Sequence, residues 1–553
     1  MTERLTIALA QTNPTVGDVE GNARQVRDGR ARARDAGADM IVFGELAIAG
    51  YPPEDLVLKR SFQEHVERAV AVLAAETGDG GPAVVLGAPW REDGVLHNAA
   101  LVLDGGRVAA VRRKHEIPNY GVFDERRLFA PGPLPDPVPF RGARLGLMVC
   151  EDMWFPAVAE HLQAQGADML VVINGSPFQV DKPAQRMDRA RARVAQTGLA
   201  LAYVNLVGGQ DELVFDGASF VLGAGAGIRA RAPAWREHLL LTRWEKAGGA
   251  WACAAGEIAP EDDAVETVYA ALVAGLRDYV NKNIFPGVLI GLSGGVDSAL
   301  AAALATDALG PERVHAVMMP SPFTSKDSVE DAAETARRLG CRLDTVPITP
   351  AMDAFEAMLR ELFVQHPPDT TEENIQARAR GIALMALSNK FDYMVLSTGN
   401  KSEMSVGYAT LYGDMCGGFA VLKDVYKTMV YKLCRWRNAH RPEGALGPEG
   451  PVMPERVLTK APSAELKPNQ TDQDTLPPYE VLDAILECLI EGEQGVRETA
   501  AKGFDEDTVR QVWRMLDRAE YKRRQAPPGV KITGRAFGRD RRYPIVNGFT
   551  EHV

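Results

Sequence analysis

The sequence predicts an α/β protein of two domains, on three observations. The chain has 553 residues, more than one hydrophobic core organises. Short runs of Val, Ile and Leu alternate with amphipathic stretches over most of its length, the pattern of layered α/β packing. Near the middle, an apolar run, a glycine-rich turn and an alanine-rich stretch follow one another. That succession opens many nucleotide-binding α/β domains.

The apolar runs at 5–10, 40–44, 84–87, 145–149, 169–173 and 201–207 read as strands buried on both faces. In "NAALVLDGGRVAAVRRK", Asp104-Gly105-Gly106 supplies the turn of a hairpin. Stretches 20–36, 61–75 and 183–197 read as helices. The small residues, proline and acidic run of "AAGEIAPEDDAVE", residues 254–266, mark a boundary that divides the chain into domains 1–255 and 256–553. A helix over 267–282 then leads into "GVLIGLSGGVDSALAAALATDALG", and the tail from about Arg437 is rich in proline and charge.

Composition narrows the function. Apolar content of 46% and charged content of 25% are ordinary for a soluble globular protein. A net charge of −12 argues against broad nucleic-acid binding, local basic patches aside. The six cysteines, at 150, 253, 341, 416, 434 and 488, form no CxxC pair, which speaks against a disulfide framework and a zinc site. The opening "MTERLTIALAQT" lacks the pattern of a signal peptide. No apolar run nears the roughly 18 residues of a membrane span. The expectation is a cytoplasmic enzyme with no membrane or nucleic-acid partner.

Cys150, in "RLGLMVCEDMWFP", ends an apolar run and precedes two acids. It reads either as a buried structural cysteine or as a nucleophile, and the adjacent carboxylates disfavour a thiolate. A nucleophilic reading needs a cation and a base. Lys114 closes the second hairpin strand, and Glu45 closes another apolar run. Sites in α/β sheets gather at strand ends, so the three have a route to converge. Asp152 is then free to cap the turn after Cys150, with Glu151 directed elsewhere.

Here a resemblance adds to the chemistry. "FGELAIAGYPP", "RRKHEIPNYGVFDE", "CEDMW" and "NGSPF", in that order, resemble the Glu–Lys–Cys signature of the nitrilase superfamily. The variant is similar to the glutaminase domain of glutamine-dependent NAD+ synthetases, and the match spans residues 1–250. It implies a nitrilase-like αββα sandwich. It also implies Glu45 as general base, Lys114 as the transition-state cation, Cys150 as nucleophile and Glu125 as an auxiliary acid. Tyr120, Ser176 and Lys182 fall where that family holds glutamine. Ile117 and Gly175 depart from the commonest pattern (leucine and alanine) away from the reacting groups.

"GLSGGVDS", residues 291–298, lies between a strand and a helix. Consecutive glycines let backbone N–H groups face an anion, although a bare glycine turn is an equal reading. The loop has neither the Gly-Lys-Ser/Thr of the common phosphate loop nor a GxGxxG. Ser293, Asp297 and Ser298 favour phosphate and Mg2+ chemistry. "SGGVDS" resembles the loop of ATP pyrophosphatases. "VMMPSPFTS", "EENIQARARG", "LSTGNKSEMSVGYATLYGDMCGGFAVLKDVYKT", "PSAELKPNQTDQDTLPPYEVLD" and "YKRRQAPPGVKIT" resemble their NAD synthetase branch; Val421 stands there in place of a frequent proline.

The resemblance implies a parallel-sheet ATP-pyrophosphatase domain. It assigns ATP to Gly291, Leu292, Ser293, Gly294, Gly295, Val296, Asp297, Ser298 and Thr398, deamido-NAD+ to Asn374, Glu403 and Lys522, and Mg2+ to Asp297 and Glu403. The implied reaction has Mg2+, ATP and deamido-NAD+ but no prosthetic group. The implied assembly is a homo-oligomer, an octamer among its admissible sizes. The run 522–542 holds eight basic residues against one acid, and anionic substrates are the expected employers of some of them.

Overall fold

In β1 (Arg4–Gln11), Leu5, Ile7 and Leu9 enter one buried cluster, while Ala8 and Ala10 enter another. Alternation of period two with both faces buried requires a covering layer on each side. The computed structural model, which describes residues 3–549, extends that rule to two sheets. The strands that follow are β2 (Met40–Val42), β3 (Ala83–Glu92), β4 (Val95–Asp104), β5 (Arg107–Arg113), β6 (Val138–Phe140), β7 (Ala143–Val149) and β8 (Met169–Ile173). After them come β9 (Leu201–Val204), β10 (Val207–Gln210), β11 (Leu213–Asp216), β12 (Phe220–Leu222), β13 (Ile228–Arg231), β14 (His238–Ala247) and β15 (Ala250–Cys253).

One sheet runs β15-β14-β1-β2-β3-β4-β5 and the other β13-β12-β9-β8-β7-β6, with β10 and β11 paired separately. Ile7, Val42, Val85 and Val102 of the first sheet share a core with Leu145, Leu147, Val149 and Val171 of the second. On the outer face of the first sheet, Ile41, Leu86 and Leu101 pack against α1 (Val19–Asp35) and α2 (Arg60–Glu76) through Val26, Val66 and Val70. On the outer face of the second, Met148, Leu170 and Val172 pack against α3 (Pro156–Ala164) and α4 (Lys182–Thr197) through Val158, Leu162 and Val194. The layer order is α-β-β-α. The run 201–207 is two strands rather than one, because the chain breaks at Asn205, whose side chain is bonded to the backbone of Ser176.

The chain divides into two units, the first ending at Asp262 and the second beginning at Asp263. In the second, β16 (Val288–Gly291), β17 (Val314–Met318), β18 (Arg342–Thr345), β19 (Met394–Ser397) and β20 (Phe419–Ala420) form a sheet ordered β18-β17-β16-β19-β20. Every neighbouring pair is parallel. The order reverses between β16 and β19, and such switch points open a crevice at the carboxyl ends of the strands.

The helices of this unit begin with α5 (Ala264–Lys282), α6 (Val296–Leu309), α7 (Lys326–Leu339), α8 (Thr349–Phe363), α9 (Thr370–Phe391), α10 (Lys401–Val406) and α11 (Lys427–Ala439). The alanine-rich α6 buries every residue but Asp297. Leu289, Val317 and Val395 meet Ala379, Leu384 and Leu387 of α9. The proline-rich tail is more helical than its composition suggests: helices at Tyr479–Ile490 and Glu506–Arg518 bury Leu482, Leu486, Val512 and Leu516 against Met404 and Val406. Among the described residues, no helix is long and apolar enough to cross a membrane.

Asp307 of α6 accepts from Arg437 Nε at 2.6 Å and Nη2 at 3.0 Å, and from the Tyr269 hydroxyl at 2.6 Å. The ion pair has no solvent exposure, and it ties α5, α6 and α11 together. Asp307→Ala strands a buried guanidinium and is expected to cost about 3–5 kcal/mol. Tyr269→Phe removes one hydrogen bond and should cost about 1–3 kcal/mol. Denaturant unfolding checks both values and their order.

Candidate functional site

Three connections in the first unit deliver the ionisable groups of one site. Lys114 directly follows β5 and Cys150 directly follows β7, while Glu45 lies in the connection that leaves β2. Glu45 and Lys114 have no exposure, and Cys150 is 3% exposed. Lys114 Nζ donates to Glu45 Oε1 at 2.7 Å and to Glu125 Oε2 and Oε1 at 2.8 and 3.0 Å. Asn98 Nδ2 donates to Glu45 Oε1 at 2.7 Å, and the Gly175 N–H donates to Glu45 Oε2 at 2.9 Å. The Tyr51 hydroxyl donates to Glu125 Oε1 at 2.8 Å. Glu45, Lys114 and Glu125 therefore form one hydrogen-bonded cluster, with Cys150 in its electrostatic field.

Burial pushes the Cys150 thiol well above its usual range; Glu45 adds to that shift and Lys114 opposes it. Glu151 and Glu125 add further, so one of the two acids that follow the cysteine, Glu151, does disfavour a thiolate. Glu151 is turned toward Tyr120, whose hydroxyl lies 3.0 Å from each of its carboxylate oxygens. It is thus directed away from Cys150, as expected, yet its charge still bears on the sulfur. Burial also raises Lys114's partner Glu125, with Lys114 opposing.

Asp152 does more than cap a turn. Its Oδ1 accepts from the His115 and Glu116 N–H groups at 3.0 and 2.8 Å, and its Oδ2 from the Val149 N–H at 2.9 Å. It thus joins the segment leaving Lys114 to the segment entering Cys150, and burial pushes its carboxyl up to about 6.

Of the other predicted residues, Tyr120 is 49% exposed and Ser176 is buried. Ser176 Oγ accepts from Arg186 Nε at 3.0 Å, and Arg186 Nη1 also donates to both oxygens of Asp216. Lys182 Nζ lies 4.0 Å from the centre of the Trp154 ring, just beyond the Cys150 turn. Asn98, Tyr51, Arg186 and Asp216 were not among the residues the sequence singled out. Only Asn98 left a signal, as a polar residue inside the apolar run of β4.

These charges predict the behaviour of the thiol. Glu45→Gln removes the charge that contributes most after burial, so Cys150 should be alkylated by iodoacetamide faster at a given pH. Lys114→Met should move the rate the other way. Each pKa unit corresponds to a roughly tenfold change in thiolate below the pKa. Rate–pH profiles with mass-spectrometric readout at Cys150 measure it, and an unchanged profile in Glu45→Gln would contradict the electrostatic account.

In the second unit a cavity of about 290 Å³ is lined by the whole loop from Gly291 to Ser298, together with Thr398 and Glu403. Gly294 has φ +83, and a Cβ there would lie 2.2 Å from the Ser328 carbonyl oxygen. Only glycine fits that turn. Asn400 Nδ2 donates to Asp297 Oδ1 at 2.8 Å. Lys427 Nζ donates to Asp297 Oδ2, and to Glu403 Oε1 at 3.2 Å. Burial pushes Glu403 up to about 8, with Asp297 adding and Lys427 opposing. Although burial works against it, the two carboxylates hold the Lys427 ammonium above its usual range.

Among the described residues, no group of three or more His, Cys, Asp or Glu side chains is arranged to hold a metal. Asp297 and Glu403 nevertheless fit Mg2+ bound in its usual manner with nucleotides, by one or two carboxylates plus phosphate oxygens. Asn374 Oδ1 accepts from Thr410 Oγ1 at 2.8 Å. Lys522 Nζ donates to the carbonyls of Gly407 and Ala409 at 2.8 and 2.7 Å. Neither lines the cavity, but both hold the 407–410 segment, whose Tyr408 and Ala409 do.

The basic run 522–542 contributes no residue to the cavity wall. Arg523, Arg524 and Arg541 share Glu520, Lys531 pairs with Asp540, and Arg535 pairs with Glu493. The cations lining the cavity are instead Arg380, Lys427 and Lys460. None of the three was foreseen.

The chain matches the family model for carbon-nitrogen hydrolase over residues 6–248 and that for NAD synthase over residues 268–526. It is 50% identical over 548 residues to the glutamine-dependent NAD(+) synthetase of Rhodobacter capsulatus, covering 99% of each chain. It is 44% identical over 581 residues to that of Thermotoga maritima, covering 99% of this chain and 100% of the other. The structure of glutamine-dependent NAD+ synthetase from Acinetobacter baumannii in complex with adenosine diphosphate is similar at 45% identity and a TM-score of 0.79, with 99% of each chain covered. With two catalytic-domain models side by side and full-length relatives at these identities, the chain belongs to the glutamine-dependent NAD+ synthetase family.

Proposed function

We propose that this protein makes NAD+ from deamido-NAD+, taking nitrogen from glutamine and driving the step with ATP. The observation that carries the reading is the joint presence of a Glu45–Lys114–Glu125 cluster beside Cys150 and a glycine loop with Asp297, on a chain of this family.

In the first unit, Glu45 takes the proton of Cys150 as the sulfur attacks the side-chain carbonyl of glutamine. The raised thiol supports general-base assistance over a standing thiolate. Lys114 stabilises the developing oxyanion, and Glu125 holds Lys114 in register. Glu45 passes that proton to the leaving nitrogen, ammonia departs and a thioester forms; the freed Glu45 then takes a proton from water, which hydrolyses the thioester to glutamate and releases the thiol. Tyr120, Ser176 and Lys182 hold the glutamine. Ser176 is itself fixed by Arg186.

In the second unit, the nicotinate carboxylate of deamido-NAD+ attacks the α-phosphate of ATP and pyrophosphate departs. Ammonia then displaces AMP to give the amide. The 291–298 loop and Thr398 hold ATP, while Asn374, Glu403 and Lys522 serve deamido-NAD+. Lys522 and Asn374 do so through the 407–410 segment they brace. Asp297 and Glu403 are the residues to hold Mg2+, which when bound neutralises phosphate charge. Carrying both activities on one chain favours direct transfer of ammonia, which would otherwise be protonated in water. A cytoplasmic homo-oligomer completes the reading.

The deciding assay supplies deamido-NAD+, ATP and Mg2+ with either glutamine or ammonium chloride. Cys150→Ala is expected to lose glutamine-driven NAD+ formation by at least about a thousandfold and to keep ammonia-driven formation. Equal loss with both donors would refute the two-site scheme. Undiminished glutamine use would remove Cys150 from it.

A further inference from the structure

A triphosphate calls for more positive charge than a glycine loop supplies, yet two of the three cations lining the second-unit cavity are already committed. Lys427 is bonded to Asp297 and Glu403. Lys460 Nζ donates to Glu465 Oε1 at 2.7 Å and to Ser328 and Ser325 Oγ at 2.6 and 3.1 Å. Arg380 differs. Its Nε donates to the Met319 carbonyl at 3.1 Å, and it has no ion pair among the described residues.

Helical spacing explains how this side chain reaches the site. Ala377, Arg380, Gly381 and Leu384 of α9 all line the cavity, at the i, i+3, i+4, i+7 positions that share one helix face. Arg378, off that face, is exposed and bonds the Leu411 carbonyl instead. Gly381 allows α9 to approach closely, since a Cβ there would sit 3.1 Å from the carbonyls of Tyr412 and Gly413. Met319 lies just beyond β17, beside the end of β16 from which the glycine loop springs, and Leu292 N–H donates to the Val317 carbonyl at 3.0 Å. Anchoring Nε there fixes the plane of the guanidinium and leaves both terminal nitrogens for a ligand, the fork that suits phosphate oxygens.

We infer that Arg380 binds the terminal phosphates of ATP and the pyrophosphate that departs from it. This rests on the function proposed above, and it adds a contact outside the 291–298 loop. Charge builds on the leaving pyrophosphate during adenylation. An arginine without a carboxylate partner meets that charge with no ion pair to break first.

The test titrates inorganic pyrophosphate into the full-length protein by calorimetry and follows the ATP dependence of ammonia-driven NAD+ formation. Arg380→Gln is expected to weaken pyrophosphate binding and raise the KM for ATP by about tenfold or more, with less change in the KM for deamido-NAD+. Arg380→Lys keeps charge but loses the fork, and should fall between; thermal melting establishes that each variant is folded. Should Arg380→Gln fail to fold, Arg380→Lys decides. Unchanged pyrophosphate affinity and ATP KM in a folded variant would overturn the inference. If wild type forms no AMP from ATP and deamido-NAD+, the proposed function fails instead, and the pyrophosphate titration still decides whether Arg380 is an anion contact.

Discussion

The first unit's site depends on the burial of one ammonium group. Lys114 has no solvent exposure, and an unpaired charge there would be too costly to keep. Two carboxyl groups therefore meet it, and their remaining lone pairs need donors in turn. Asn98, the Gly175 N–H and the Tyr51 hydroxyl supply them. These groups come from β4, from the connection after β8 and from the connection after β2. One buried cation thus draws four segments of the sandwich to a common point. Burial and the same carboxylates push the thiol above its usual range, which suits a base that works only as substrate is attacked.

The second unit repeats the device in a different setting. Lys427 lies between Asp297 and Glu403 and offsets part of the repulsion between the two carboxylates. Here the group borders a cavity rather than a closed core. A lysine so engaged offers less to an incoming anion than its charge alone implies. Backbone N–H groups and side chains with donors to spare must do more of the phosphate binding. The conformation of Gly294 serves the first source and the position of Arg380 the second.

What was legible in the sequence follows from this division. Strand ends are readable from apolar runs, so Glu45, Lys114 and Cys150 stood out, as did the glycine loop between strand and helix. Other partners of these charges were not readable, because they lie on remote segments. Asn98 is 53 residues from Glu45, and Lys427 is 130 from Asp297. The basic run at 522–542 shows the converse situation. A dense local charge suggested substrate binding, but Glu520, Asp540 and Glu493 absorb most of it within the fold. Arg380 carried no such local density and sits on the cavity wall. Charge density along a chain reports composition, whereas binding depends on which charges tertiary pairing leaves available.

Cys150 itself illustrates how a strand end becomes a site. Its φ of +45 places a non-glycine residue in the left-handed region, at a cost of roughly 1–2 kcal/mol. A strained residue persists when its surroundings over-determine it. Asp152 does that work, since one side chain accepts three backbone N–H groups, two after Lys114 and one just before Cys150. The acid that first looked hostile to a nucleophile is thus what holds the turn. Its carboxylate is occupied by backbone donors, and it is absent from the leading influences on the thiol, which come from burial, Glu45, Lys114, Glu151 and Glu125. The two acids after Cys150 differ in kind: Asp152 builds the turn, whereas Glu151 shapes the electrostatics of the sulfur.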